Sequence, residues 1–230
     1  MRWSRADLHL HTTCSDGMPT PEVLARRLVR SRLAVAAVTD HGTIEGALRV
    51  EEALSGSGPE IIIGSEVSSR DGHVLGLFIT HDVPPGGSAE ATIAAIHDQG
   101  GLAIAAHPYS LALGVGDLAA DLPFDGVEIL NGSPFMEMSN ARAAARLART
   151  TSALVGGSDA HVAGAAGQVY TLFPGSGPAD LRAALLMGQT RPAVDWPGRL
   201  AALPLHVSWL TWLTARRGVR PAPSSQLSQT

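Results

Sequence analysis

The sequence predicts an α/β fold in which β/α units wind around a mostly parallel sheet or barrel. Three observations predict it. Strand-length apolar runs recur from the N-terminus to about residue 190, segments with apolar residues three and four apart separate them, and the 230 residues are 45% hydrophobic and 17% charged. That length and balance fit one large folded domain with a sizeable core.

The strand runs are Ala6–Leu10, Ala34–Thr39, Ile61–Gly64, Val74–Ile79, Leu102–Ala106, Gly126–Leu130, Ala153–Val155 and Val169–Phe173, several rich in Val and Ile. Helical spacing marks Pro19–Ser31, Ile44–Leu54, Ser88–Gln99, Asn140–Thr150 and Pro178–Met187. Thr20-Pro21-Glu22 and Ser88-Ala89-Glu90 supply start signals for two of them. One pair departs from the alternation: Ile61–Gly64 and Val74–Ile79 are joined through Arg70-Asp71-Gly72 and read as a hairpin. The catalytic barrel is therefore expected over 1–190. A C-terminal extension over 191–219 follows, with an amphipathic helix at Leu200–Arg217 carrying Trp209 and Trp212 and packed back on the barrel; 220–230, rich in Pro, Ser and Gln, reads as a disordered tail.

The net charge of −4 offers no basic field for capturing duplex nucleic acid, so none is expected as a partner. All 17 basic residues are Arg, which excludes Schiff-base and P-loop lysine chemistry. The single cysteine, Cys14, forms no internal disulfide and reads as a small turn residue. With no signal peptide and no apolar run of roughly 20 residues, a cytoplasmic location without membrane insertion is expected.

Histidine placement carries the chemistry. Six of nine histidines, His9, His11, His41, His73, His107 and His161, lie at or just after the ends of the apolar runs, near Asp, Glu or Gly; His81, His97 and His206 sit in less distinctive contexts. In Asp7-Leu8-His9-Leu10-His11, a continuing strand puts both imidazoles on one face and Leu8 and Leu10 on the other. Ser15-Asp16-Gly17 adds a carboxylate in a turn. Asp40-His41-Gly42 ends the second run, with His41 a ligand and Asp40 either an acceptor fixing an imidazole tautomer or a helix cap. Glu66, His73, His107 and the pair Asp159 and His161 complete the set. Nine donors exceed what one ion with an open position needs, so two or three divalent ions are expected. Imidazole and carboxylate donors without thiolate suit Mn, Zn or Fe.

These residues resemble, in motif order over 5 to about 190, the PHP (polymerase and histidinol phosphatase) family of metal-dependent phosphoesterases. The matching motifs are Asp-x-His-x-His with Ser-Asp-Gly, Thr39-Asp40-His41-Gly42, Gly64-Ser65-Glu66, Gly72-His73-Val74-Leu75-Gly76, His107-Pro108 and Ser158-Asp159-Ala160-His161. The resemblance implies a distorted (β/α)7 barrel with its metal site at the C-terminal ends of the strands. It also implies three ions: one on His9, His11, Glu66 and Asp159, a second reached by Glu66 and held by His73 and His107, a third on Asp16, His41 and His161. It looks most like the small stand-alone members, some of which remove phosphate from nucleoside 3′,5′-bisphosphates or the 5′ ends of short RNA. Only 51 residues (108–158) separate His107 from Asp159, too few for the bulky lid of that branch.

The implied reaction is hydrolysis of a small phosphate monoester or a nucleotide or oligonucleotide phosphate by a hydroxide bridging two ions. His161 or Asp40 is the candidate proton carrier, and Arg142, opening a helix beyond a barrel strand, the candidate phosphate-binding residue. Two alternatives stay open: a metal hydrolase of amides or lactones, and a non-catalytic metal-stabilised binding module. The sequence leaves the oligomeric state open.

Overall fold

Alternate residues of a strand face opposite sides of a sheet, and here that rule gives a curled sheet with apolar packing on both faces. The computed structural model describes residues 2–149 and 152–218. Among the described residues nine strands form one sheet: β1 (Trp3–Asp7), β2 (Val35–Val38), β3 (Glu60–Ser69), β4 (Gly72–Leu77), β5 (Leu102–Ala105), β6 (Gly126–Asn131), β7 (Ala153–Gly157), β8 (Val169–Pro174) and β9 (Arg191–Val194). They lie in the order β7-β6-β5-β4-β3-β2-β1-β8-β9. The pairs β1–β2, β2–β3, β5–β6 and β6–β7 are parallel; β3–β4, β4–β5, β1–β8 and β8–β9 are antiparallel.

The sheet curls until β7 meets β8, which makes it a nearly closed, distorted α/β barrel. At that seam the buried Thr171 hydroxyl donates to the Gly156 carbonyl (2.8 Å) and accepts from the Gly156 N–H (2.9 Å). Side chains thus do at the seam what a backbone ladder does elsewhere.

The helices are α1 (Pro21–Val29), α2 (Glu45–Leu54), α3 (Ala89–Asp98), α4 (Leu118–Asp121), α5 (Glu137–Leu147), α6 (Pro178–Leu186) and α7 (Trp196–Gly218). Thr20 and Ser88 cap α1 and α3 by accepting from the Val23 and Ala91 N–H groups. One apolar cluster lies inside the barrel, joining Ala6, Val35, Ile62, Leu75, Ile104, Val155 and Phe173 to Leu181 and Leu185 of α6. Two clusters lie outside it, one under α1 and α2 with Ala36 and Val38, the other under α3 and α5 with Ala103 and Val127.

Several boundaries differ from the sequence expectation. β1 stops at Asp7 because the alternation breaks: Leu8 packs inside the barrel and Leu10 outside. β3 runs on to Ser69, so Glu66 lies within a strand rather than after one. β9 extends the sheet past residue 190, and α4 and β9, four residues each, are too short to show periodicity. α5 begins at Glu137, three residues before the expected start. The expected C-terminal helix is present as α7, with Ala202 and Trp209 against the outer cluster, while Trp196 is 62% exposed. The expected tail at 220–230 lies outside the described residues. No described helix is long and apolar enough to cross a membrane.

Thr171→Val keeps the side-chain shape but strands two buried backbone groups. We expect a loss of about 2 kcal/mol or more in denaturant unfolding; an unchanged midpoint would mean that the seam is held by other contacts.

Candidate metal centre

Each strand that is apolar at the base of the barrel ends in polar residues at the top. In β3 the inward positions run Ile62, Gly64, Glu66; in β6 they run Gly126 and Glu128. β4 is antiparallel, so its first inward residue, His73, rather than its last, reaches the same end. The nine sequence-selected donors fall into overlapping groups: His11, Asp16, His41 and His161; His9, His11 and Glu66; His9, His107 and Asp159; His41, Glu66 and His73. All nine therefore share one end of the barrel.

Glu66 is the centre of the arrangement and is 1% exposed. Its Oε1 lies 2.8 Å from His73 Nδ1 and 3.1 Å from His107 Nε2. Its Oε2 lies 3.1 Å from His9 Nε2, 3.3 Å from His11 Nε2 and 3.5 Å from His41 Nδ1. Asp159 Oδ1 sits 3.3 Å from His11 Nε2 and 3.6 Å from His9 Nε2. At the open edge, Asp16 Oδ1 is 3.1 Å from His161 Nε2, 3.6 Å from His11 Nδ1 and 3.8 Å from His41 Nε2.

These separations fit ligands that share an ion. Two atoms each about 2.1 Å from one ion lie about 3.0–3.4 Å apart at octahedral or tetrahedral angles. Among the described residues, both ring nitrogens of the fully buried His11, Nδ1 of His41 and Nδ1 of His107 find no hydrogen-bond partner, which is costly for buried polar atoms unless something else binds them. His161 Nδ1 donates to the Asp159 carbonyl (3.0 Å), so its Nε2 lone pair points at the Asp16 carboxylate. Two lone pairs that close call for a proton or a cation between them. The donors present therefore fit divalent metal.

The protonation balance follows. Burial opposes charge on His9, but Asp159, Glu66 and Glu128 override it and hold its pKa well above the usual value. The same contest, with Asp159 and Glu66, pushes His11 up to about 10 and raises His107. Burial also opposes ionisation of Glu66 and Asp159, yet the surrounding imidazoles keep both well below the carboxylate range. His41 goes the other way, lowered by burial.

Further residues hold the cluster, and of these only Asp7 stood in a sequence motif, Asp-x-His-x-His. The buried Glu128 places Oε1 3.1 Å from His9 Nδ1 and accepts from the His107 N–H at 2.8 Å through Oε2. Asn131 donates to both Glu128 and Asp159. Asp7 accepts from the backbone N–H groups of His9, Ser158 and Gly167, and burial pushes its carboxyl up to about 6 despite those bonds. Gly157 leaves the room these contacts need, since a Cβ there would lie 2.6 Å from both Glu128 Oε1 and His9 Cβ. The only signal for Glu128 was a carboxylate inside an apolar strand. Trp209, far along the chain, gave none: its ring lies 4.2 Å from that of His161, tilted by 40°, and its Nε1 donates to the Asp16 carbonyl. Asp159 and His107 carry φ of 50° and 26°, strain of the kind that collects at functional sites.

Asp40 requires a correction. It is fully buried, and its carboxylate accepts from the Thr12 N–H, the Thr12 hydroxyl and the Ser15 hydroxyl. None of the described hydrogen bonds joins it to an imidazole, so it braces the loop carrying Asp16 instead of fixing a tautomer. Arg142 stands on the outer face of α5 with its guanidinium 4.7 Å over the Tyr109 ring, two residues beyond His107. Cys14 is half-buried and belongs to none of the metal-holding groups.

Comparison with known proteins decides the family. The description "PHP domain" matches residues 7–118 and "PHP-associated" matches 137–190. An uncharacterised protein of Methanocaldococcus jannaschii is 40% identical over 139 residues, 55% of this chain and 81% of that one. The chain belongs to the PHP family. This is a family of metal-dependent phosphoesterases. The 5′-3′ exoribonuclease Rnm of Salmonella typhimurium is 43% identical over 79 residues, 32% of this chain, and the chain spans 27% of that relative's length. In fold it is similar to a Bacteroides vulgatus two-domain protein containing a predicted PHP-like metal-dependent phosphoesterase (TM-score 0.65, 19% identity, 84% of this chain and 65% of that one). Endonuclease Q, solved with a 27-mer duplex carrying an abasic lesion at its active site, shares the fold as well (TM-score 0.58, 15% identity, 80% and 56%). The expectation that duplex nucleic acid is no partner thus finds no support, because net charge does not report a local path for a strand.

Within this PHP chain, His9, His11 and His107 must lose protons before they can ligate. Because their pKa values are raised, these imidazoles keep their protons to higher pH than usual without metal, so metal affinity rises with pH. Calorimetry at pH 7 in buffers of differing ionisation enthalpy should show release of more than one proton per chain; proton-neutral binding would mean the imidazoles were already free. Gly157→Ala should cut metal content severalfold by displacing His9 and Glu128, read by elemental analysis of the purified protein.

Proposed function

We propose that the chain is a phosphoesterase acting on a small phosphate monoester or on a nucleotide or oligonucleotide phosphate. The observation that carries the reading is the split of Glu66: one oxygen faces His73 and His107, the other His9, His11 and His41. A single buried carboxylate so placed can serve two ions at once, and Asp16, His41 and His161 form a third group. Divalent ions held there would supply Lewis acidity toward phosphoryl oxygens and a lower pKa for the attacking water.

The chain's own residues set the approach. Seven of the nine side chains are 10% exposed or less, whereas His41 and Asp16 are 29% and 34% exposed. A phosphate ester reaches the cluster over that edge, and the remaining walls exclude water. His161 has one ring nitrogen free of the backbone, so ligand and proton donor are exclusive roles; facing Asp16, it serves as a ligand. Arg142, held over Tyr109, is the side chain proposed to grip a non-reacting phosphate oxygen or a second phosphate.

Names among the relatives favour a nucleic-acid or sugar-phosphate substrate, since Rnm is an exoribonuclease and an Eggerthella lenta relative is a phosphoribosyl 1,2-cyclic phosphate 1,2-diphosphodiesterase. The test is phosphate release from nucleotides, short 5′-phosphorylated RNA and sugar phosphates, with amide and lactone substrates beside them. With metal loaded, Asp159→Ala and Glu66→Gln should each lower kcat/KM about 100-fold or more. Arg142→Ala should raise KM about tenfold with kcat nearly kept. Turnover of amides alone would sink the proposal, and no turnover after reconstitution with Mn, Zn or Fe would favour a binding module.

A further inference from the structure

A cavity of about 600 Å³ opens on the outer side of the barrel, between the end of α1, the start of β8 and the junction of β9 with α7. None of the nine candidate ligands lines it. Four arginines do: Arg5 of β1, Arg27 of α1, Arg30 at its C-cap, and Arg32 in the loop before β2. Asp195 is the single carboxylate on the wall.

Among the described residues none of the four cations is ion-paired; the arginine ion pairs involve Arg49 and Arg199. Arg27 donates one hydrogen bond, to the Ala166 carbonyl at 3.4 Å. Arg5 lies flat over the Tyr170 ring at 4.6 Å, which leaves its N–H edge for another acceptor. Trp196, also on the wall, is 62% exposed, with the Arg199 guanidinium 5.9 Å from the centre of its ring.

Cations at a helix C-terminus gain from its dipole, and that accounts for Arg27 and Arg30. It does not account for Arg5 or Arg32, which come from other elements. Nor does it account for four like charges converging in a chain whose net charge is −4. Their mutual repulsion is relieved by a multivalent anion, and planar guanidinium forks suit phosphate oxygens. An open indole beside them suits a stacked base.

We propose that this groove is a second binding site, independent of the metal centre, for a ligand with two or more neighbouring phosphates and a stacking ring. A nucleoside polyphosphate and the backbone of a single strand share that chemistry. The test titrates inorganic triphosphate, a nucleoside triphosphate and a single-stranded hexanucleotide into the full chain, before and after divalent-ion loading, read by calorimetry and tryptophan fluorescence. Binding should occur without metal. Arg30→Glu with Arg32→Glu should weaken it roughly tenfold or more. Arg26→Glu, half that charge change and on α1 but off the groove, should stay within about twofold. Equal weakening by Arg26→Glu, or no binding to the metal-free chain, would overturn the site. A nucleoside triphosphate bound tighter than triphosphate, with the gain lost in Trp196→Ala, supports the free nucleotide. A hexanucleotide tightest of the three supports the strand, and triphosphate matching both would overturn the stacking part.

Discussion

The structure depends on one constraint: a carboxylate, Glu66, is ionised where water cannot reach it. Desolvating a charge is tolerated only when opposite charge or metal surrounds it. Here five imidazoles come within 3.5 Å of its two oxygens. They arrive from β4 and from the segments just after β1, β2 and β5. No short peptide can supply that surrounding, so the sheet has to curl before Glu66 can be buried at low cost.

Much of the rest serves that arrangement. The reversal of β4 brings a strand's first inward residue, His73, to the end where the other strands bring their last. The break in β1 after Asp7 turns both His9 and His11 inward while Leu10 joins the outer core. Gly157 yields the space in which His9 meets Glu128. Asp40 spends its carboxylate on Thr12 and Ser15 so that the Asp16 loop holds its place. These positions are where local preference gives way to the needs of the site.

Most of the barrel was legible, because long segments with clear periodicity carry their own evidence. The hairpin of β3 and β4 was readable from Arg70-Asp71-Gly72, and the metal donors from their recurrence at run ends. What was not legible shares a cause. Glu128, Asn131 and Asp7 act through contacts across the barrel, which spacing along the chain cannot express. α4 and β9 are too short to repeat a pattern. Trp209 reads as an ordinary apolar helix residue until the fold sets it on His161. Net charge hid the arginine groove for a related reason: a total says nothing about where charges gather.

The indole of Trp209 and the carbonyl of Asp16 are 193 positions apart. That span orders assembly in time. During synthesis the loop bearing Asp16 is made well before α7, so the corner with His161 stays uncovered until α7 packs against it. A chain cut short before α7 would keep every metal donor and lose the cover, trading retention of the ion for speed of exchange.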